Sequence, residues 1–174
     1  MTERGTPDLW WAIPGVLAGM SRPYLHSERL EWGDAGCDDY PDELPGLWQA
    51  GIRAVVCLLN MPGAAAAYEA AGFAFHLLPI PDGGTASLQE FAEFCRFVEQ
   101  QRASSHPVAV HCEYGVGRTG AMIAGYLVAH GTSPVEAVMK IRQMRPGAVE
   151  THQQWRFLEA VHELSQPSPN NPQS

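Results

Sequence analysis

Three short, continuous apolar runs constrain the fold of this chain more than any other feature. They occupy residues 53–59 (RAVVCLL), 73–80 (FAFHLLPI) and 107–112 (PVAVHC). An uninterrupted apolar run of strand length is typical of a strand that is covered on both faces. Because helical segments separate these runs, we expect an α/β, three-layer fold in which helices flank a central, mostly parallel twisted sheet of four to five strands.

Capping patterns place helices between and after these strands. Ser87 and Ser133 each precede a glutamate by three residues, which is the capping box that begins a helix. Pro134 fits the first turn of the second of these helices, and we expect that helix to stop at residues 145–147 (RPG). Residues 118–129 (RTGAMIAGYLVA) are apolar on nearly all sides, which predicts a buried central helix.

The remaining segments are assigned from weaker patterns. We expect a strand or strand pair near a sheet edge over residues 13–20, a loop over residues 32–45, a short helix over residues 44–50 and a last helix over residues 151–164. In the helix that Ser87 caps, helical spacing predicts one buried face, formed by Leu88, Phe91, Phe94, Cys95 and Val98.

Length and charge limit the organisation and the partners of the chain. Its 174 residues predict a single domain over residues 1–165, and residues 166–174, rich in Pro, Ser and Asn, predict a disordered tail. With 11 Lys and Arg against 19 Asp and Glu, the net charge is −8, so nucleic acid and anionic membranes are poor partners. Four cysteines without paired spacing, and no signal peptide or long apolar stretch, predict a cytoplasmic protein, expected to be a monomer.

Residues 111–120 (HCEYGVGRTG) carry the chemistry. An apolar strand runs into Cys112, a loop with Gly115 and Gly117 follows, and Arg118 opens the buried helix. Successive backbone N–H groups of such a loop point inward, and the helix N-terminus adds positive potential, so this arrangement binds anions. With five residues between them, the thiol of Cys112 and the guanidinium of Arg118 can address one oxyanion, and the guanidinium matches two phosphate oxygens.

The same environment makes Cys112 a predicted nucleophile. A helix N-terminus and a neighbouring cation both favour the thiolate over the thiol. A lone cysteine at a strand end is more often a small core residue, and an arginine at a helix start is more often solvated. The two residues at this spacing, with two glycines and Thr119 after them, favour the functional interpretation.

The motif resembles the H-C-x5-R-[ST] signature of the cysteine-dependent protein-tyrosine and dual-specificity phosphatases. The order of GIRAVVCLL, LPIPD, the signature and RPGAVETHQQ, over roughly residues 13–165, is similar to small atypical dual-specificity phosphatases of the VHZ type. The resemblance implies the protein-tyrosine phosphatase-like fold, a phosphorylated protein or peptide as substrate, a phosphocysteine intermediate on Cys112, and neither a cofactor nor a metal.

The resemblance also implies roles for individual residues. Asp82, in PIPDGG, matches the general acid, although a turn aspartate is the ordinary alternative. Thr119 matches the hydroxyl that supports the sulfur leaving group, and His111 matches the histidine that holds the loop. Gln154 aligns with a polar residue that orients water, but Thr151-x-x-Gln154 is also a capping box. The loop residues implied to bind phosphate are Glu113, Tyr114, Gly115, Val116, Gly117 and Arg118.

Two loop residues depart from the commoner family pattern. Glu113 places a carboxylate beside a site for a dianion, so if it faces the mouth it should repel highly phosphorylated ligands. Tyr114 stands where a small residue is more usual, which leaves the pocket shape open. We therefore expect aryl phosphates, phosphotyrosine above all, to be hydrolysed faster than phosphoserine, phosphothreonine or phosphoinositides.

Other functions fit the residues less well. A sulfurtransferase of the rhodanese kind resembles C-x4-R rather than the five-residue spacing seen here. A phosphopeptide-binding module without catalysis usually lacks the nucleophile, whereas Cys112 is present. An RNA 5′-phosphatase needs a basic path for its substrate, which the net charge of −8 does not offer. Lipid phosphatases often carry lysines in the loop, and EYGVG has none. Whether Cys57 forms a disulfide with Cys112 under oxidation stays open.

Overall fold

The computed structural model describes residues 8–23 and 43–166. Within these ranges the chain forms one five-stranded sheet in the order β1-β2-β5-β3-β4. The strands are β1 (Leu9–Ile13), β2 (Leu17–Met20), β3 (Ala54–Cys57), β4 (Ala74–Leu77) and β5 (Val108–His111). Only β1 runs antiparallel to its neighbour, and the other three pairings are parallel. The predicted α/β fold with a mostly parallel sheet is confirmed.

Six helices are described: α1 (Leu44–Gln49), α2 (Ala64–Ala70), α3 (Leu88–Ala103), α4 (Gly117–Ala129), α5 (Pro134–Met144) and α6 (His152–Ser165). The capping boxes expected at Ser87, Ser133 and Thr151 all form. Helix α4 is buried along almost its whole length and packs against α5, α6 and the sheet. The central buried helix predicted from its composition is therefore present.

Alternate residues of the strands face opposite sides of the sheet, which produces three layers. Val56 and Val110 pack into a large core beneath α3 to α6, whereas Val55 and Ala109 pack into a smaller core beneath α1 and α2. This division follows from the two-residue period of a strand. Because both faces of β3 and β5 are covered, their sequences are continuously apolar.

Some local expectations are wrong. The run at residues 73–80 was expected to form a strand covered on both faces, but β4 is the edge of the sheet and its residues are only partly buried. Leu88 was expected in the core, yet 40% of it is exposed, because it lies in the first turn of α3. Cys95 is only half-buried, and desolvation raises the pKa of its thiol to about 12.

Other expectations fall at element boundaries or outside the described residues. β1 lies mostly upstream of the strand pair predicted over residues 13–20. The short helix predicted over residues 44–50 is confirmed as α1, so Leu44 and Pro45 belong to it and not to the preceding loop. Residues 32–42 of that loop and 167–174 of the predicted tail lie outside the described residues. Within the described ranges, none of the helices combines the length and the apolar character needed to span a lipid bilayer.

Candidate active site

The loop between β5 and α4 holds the predicted nucleophile. β5 ends at His111, Cys112 follows with only 3% of its surface exposed, and α4 begins at Gly117. Gly115 adopts φ +66°, and a Cβ there would overlap the backbone of Met20 at the end of the neighbouring β2. The loop therefore needs glycine at residue 115 both for its backbone angle and for its close approach to β2.

Gly117 brings the segment before α6 against the loop. A Cβ on Gly117 would overlap the carboxylate of Glu150 and would lie 3.2 Å from Nε2 of Gln154. Glu150 was not among the predicted site residues, and its only sequence signal is its place between RPG and the Thr151 capping box. A negative charge thus lies beside the predicted phosphate loop, on the side of the last helix.

Arg118 joins the loop to the segment that carries Asp82. Its Nη1 donates to the Ile80 carbonyl at 3.0 Å, and its Nη2 lies 3.2 Å from Oδ1 of Asp82. The Arg118 side chain is 11% exposed, whereas that of Asp82 is 94% exposed. The guanidinium is thus held in the wall of the site, and the carboxylate that contacts it is open to solvent.

Asp82 also lies in a tight turn, so its position fits a turn aspartate as well as a general acid. The Gly84 amide donates to the Pro81 carbonyl at 2.9 Å, and Gly83 adopts φ +70°. We call residues 80–84 the acid loop. We call residues 111–118 the signature loop. The turn and the contact with Arg118 together bring Asp82 to this loop, although Asp82 and Arg118 are 36 residues apart in sequence.

His111 is fully buried and bridges two layers of the fold. Its Nδ1 lies 3.3 Å from the Cys112 carbonyl and its Nε2 lies 3.2 Å from the Tyr68 hydroxyl. Because a carbonyl only accepts, Nδ1 carries the proton and Nε2 accepts from Tyr68. Desolvation lowers the pKa of His111 to about 4. The neutral ring therefore ties the backbone of the nucleophile to α2.

A neutral buried histidine makes stability depend on pH. Since His111 has a pKa of 6.5 when exposed and about 4 in the fold, the unfolded chain binds the extra proton first, and stability falls as pH drops from 6.5 to 4. We expect a loss of about 3 kcal/mol from this group. Urea unfolding of wild type and His111→Gln over this pH range measures it.

The difference in unfolding free energy between wild type and His111→Gln should shrink toward acid pH. If the unfolding free energies of wild type and His111→Gln change in parallel as the pH drops, His111 is not the source of the acid sensitivity.

Thr119 and Gln154 are both completely buried, with different surroundings. The Thr119 hydroxyl finds no hydrogen-bond partner among the described residues. The Gln154 side chain, in contrast, is occupied: Oε1 accepts from the amides of Glu150 and Thr151, and Nε2 lies 3.4 Å from the Gly84 carbonyl. Thr119 thus keeps a free buried hydroxyl beside the loop, while Gln154 contacts the acid loop.

The two unusual loop residues lie at the surface. Glu113 forms an ion pair with Arg22 at 3.9 Å, and its carbonyl accepts from the Arg22 amide. Tyr114 is 74% exposed, and its carbonyl accepts from Arg145. The charge of Glu113 is therefore partly compensated, and the Tyr114 ring is free to meet a ligand.

Cys57 lies close to the nucleophile in the sheet. It ends β3, and its register partner on β5 is His111, the residue before Cys112. Neither cysteine forms a disulfide within the described residues, and the Cys57 thiol donates to the Leu59 carbonyl at 3.7 Å. A disulfide between them stays a prediction.

The comparisons with known proteins agree with this geometry. A family model described as the DSP-PTPase phosphatase of polymorphic toxin systems (Tc-R-P) matches residues 35–132, more than half of the chain. The chain belongs to the cysteine-dependent dual-specificity phosphatases. This family membership was predicted from the signature loop, whereas the narrower likeness to the VHZ type stays a prediction.

Individual phosphatases are similar over most of the chain. It is 32% identical to mouse dual specificity protein phosphatase CDC14B over 157 residues, which are 87% of this chain and 30% of the relative. It is 30% identical to the tyrosine-protein phosphatase cdc-14 of Caenorhabditis elegans, covering 21% of it. The chain thus spans less than a third of the length of these two relatives.

Among solved structures, the active form of Tk-PTP matches with a TM-score of 0.75 and 29% identity, over 90% of this chain and 97% of that one. The kinase associated phosphatase, at 19% identity and a TM-score of 0.73, covers 94% of this chain and 98% of its own, and it shows the shared fold. Both likenesses extend over nearly the whole of the solved domains.

Proposed function

We propose that this phosphatase domain hydrolyses phosphotyrosine, and to a smaller extent phosphoserine and phosphothreonine, in proteins through a phosphocysteine intermediate. One observation carries the proposal: Arg118, in the first turn of the helix that follows the Cys112 loop, contacts Asp82 at 3.2 Å. A nucleophile, an oxyanion-binding guanidinium and a proton donor thus surround one anion-binding helix N-terminus.

In the first step, the Cys112 thiolate attacks phosphorus while the bond from phosphorus to the leaving oxygen breaks. Loop amides and the Arg118 guanidinium bind the non-bridging oxygens. The substrate dianion competes with Asp82 for Arg118, which frees the exposed carboxyl group to carry a proton. Asp82 gives that proton to the leaving oxygen, so the alcohol or phenol departs neutral.

In the second step, water attacks phosphorus and the phosphorus–sulfur bond breaks. The Asp82 carboxylate, now deprotonated, accepts a proton from the water, and inorganic phosphate and the thiolate are released. The buried Thr119 hydroxyl lacks a protein partner among the described residues. We assign it to donate a hydrogen bond to the departing sulfur, which lowers the cost of a buried negative charge.

The entrance of the site supports a preference for aryl phosphates. The exposed Tyr114 ring can pack against a substrate ring, and Glu113 adds negative charge near the mouth. Arg22 and Arg145 also lie beside the loop, but each already contacts a carboxylate, from Glu113 and Asp8. A ligand with several phosphates therefore gains little there.

We expect kcat/KM to rank a phosphotyrosine peptide above a matched phosphothreonine peptide, and both above a soluble phosphoinositide. Glu113→Ala removes a negative charge near the mouth, so it should raise kcat/KM for the phosphoinositide several-fold more than for the phosphotyrosine peptide. Steady-state phosphate release at fixed pH, with Cys112→Ser as the inactive control, measures the ranking and tests the function.

Glu163→Ala is the matched control, because it removes an exposed carboxylate at the far end of α6. It should leave the ranking unchanged. A wild-type protein that prefers the phosphoinositide overturns the substrate proposal, and a Glu113→Ala protein with unchanged ratios removes charge repulsion as its cause.

The cellular setting belongs to the same proposal. We assign the chain to the cytoplasm, as a monomer that acts on phosphorylated proteins and contacts neither nucleic acid nor membrane. A net charge of −8 and the reduced state of the cysteines at residues 57, 95 and 112 support this assignment.

A further inference from the structure

Helix α6 begins with a capping box that differs chemically from the other two. At Ser87 and Ser133, the hydroxyl lies 2.7 Å from the glutamate carboxylate of its own box, so the hydroxyl proton is used within the box. The third box pairs Thr151 with Gln154, a threonine with an amide. A glutamine caps as a glutamate does but keeps an NH2 donor.

Both spare donors of this box reach the acid loop. The Thr151 hydroxyl accepts from the backbone N–H of Gln154 at 3.1 Å and donates to the Gly83 carbonyl at 2.8 Å. Nε2 of Gln154 lies 3.4 Å from the next carbonyl, that of Gly84. Two successive carbonyls directly after Asp82 are therefore hydrogen-bonded to the first turn of one helix.

The same box contacts the signature loop. Gln154 is completely buried, and its Nε2 lies against Gly117 at the start of α4. On the other side, Arg118 binds the acid loop through the Ile80 carbonyl and Asp82. The acid loop is thus held from both ends, and α6 sets its distance from the residues around the phosphate site.

We propose that Thr151 and Gln154 are positioning residues for the general acid, which hold the Asp82 turn against the signature loop through the Gly83 and Gly84 carbonyls. This inference rests on the proposed function of Asp82. It assigns Gln154 to the acid loop, because Oε1 caps α6 and Nε2 reaches the Gly84 carbonyl.

The main test is Thr151→Val, which keeps the side-chain shape and removes the hydroxyl. We expect kcat/KM for phenyl phosphate, a poor leaving group, to fall about 10- to 100-fold, since a displacement of about 1 Å has such an effect on a reacting group. Dinitrophenyl phosphate needs no proton to leave, so its kcat/KM should change far less. Thr151→Ser restores the hydroxyl and should restore most of the rate.

Two controls separate this role from loss of a helix cap. Ser133→Ala removes the same kind of cap from α5, away from the acid loop, and should not alter the dependence on the leaving group. In an Asp82→Asn background, Thr151→Val should have no further effect, because the proton donor is already absent. Equal losses for both substrates, or an additive effect in that background, overturn the proposal.

Gln154→Glu keeps the oxygen that caps α6 and removes the donor to Gly84. With dinitrophenyl phosphate, rapid-mixing kinetics should show no larger burst than in wild type, because the hydrolysis of phosphocysteine is unaffected. A large burst, which means that phosphocysteine accumulates, assigns Gln154 to the water and overturns its positioning role.

Amide hydrogen exchange tests the same contact without catalysis. Exchange in a peptide that covers residues 82–86 should be faster in Thr151→Val than in wild type, and Ser133→Ala should leave it unchanged. If wild type hydrolyses no aryl phosphate, the proposed function fails while the exchange data still decide the contact. If wild type is active and exchange is unaltered in Thr151→Val, the positioning role alone fails.

Discussion

Cys112→Ser should abolish turnover of every phosphomonoester while the protein still binds phosphate. A serine hydroxyl stays protonated at neutral pH and is a much weaker nucleophile than a cysteine thiolate, so the attack on phosphorus is lost. The loop amides and Arg118 remain in place, and so does the anion site that they form. Phosphate release measures the first result, and calorimetric titration with a phosphotyrosine peptide measures the second.

Cys95→Ser is the matched control for removing a thiol. Cys95 is half-buried on α3, and desolvation holds the pKa of its thiol at about 12. Its replacement should leave kcat unchanged. Substantial turnover by verified Cys112→Ser protein contradicts the phosphocysteine mechanism.

Arg118→Lys separates binding from nucleophilic attack at the same site. A lysine cannot donate bidentately to two phosphate oxygens, and it cannot also reach the Ile80 carbonyl and Asp82 as Arg118 does. Both peptide affinity and kcat should therefore fall, unlike in Cys112→Ser. Arg96→Lys, at an exposed position on α3, should change neither, and an Arg118→Lys protein with wild-type affinity contradicts the role of the guanidinium.

Asp82→Asn should lower kcat/KM for a poor leaving group by roughly 10² to 10⁴, the usual contribution of a positioned general acid. The asparagine keeps the turn and the contact with Arg118 but carries no proton to transfer. The loss should shrink as the leaving group improves, from phenyl phosphate to a fluorinated phenyl phosphate.

The control for Asp82→Asn is Glu163→Gln, which removes a carboxylate charge on the far end of α6. Its pH profile and leaving-group dependence should match those of wild type. If Asp82→Asn instead lowers turnover equally for good and poor leaving groups, the proton comes from another residue.

Local patterns were sufficient for the parts of the molecule that lie close together in sequence. The capping boxes at Ser87 and Ser133 and the apolar runs of β3 and β5 predicted their elements correctly. Helix α2 was not predicted, because it begins at Gly63 without a side-chain cap. The edge position of β4 was also not predicted, because an edge strand is defined by the order of the strands in the sheet. The composition of a strand does not indicate that order.

The family was predictable from residues 111–120, because Cys112, the loop and Arg118 lie within one strand-loop-helix unit. The chemistry expected of this unit stays a prediction. Contacts between segments that are far apart in sequence depend on the tertiary structure: Tyr68 with His111, Asp82 with Arg118, and the capping box of α6 with the acid loop. These partners lie 36 to 70 residues apart in sequence. Their proximity results from the parallel strand order and from the packing of α2 and α6 against the sheet and α4, and such long-range packing leaves no periodic pattern in the chain.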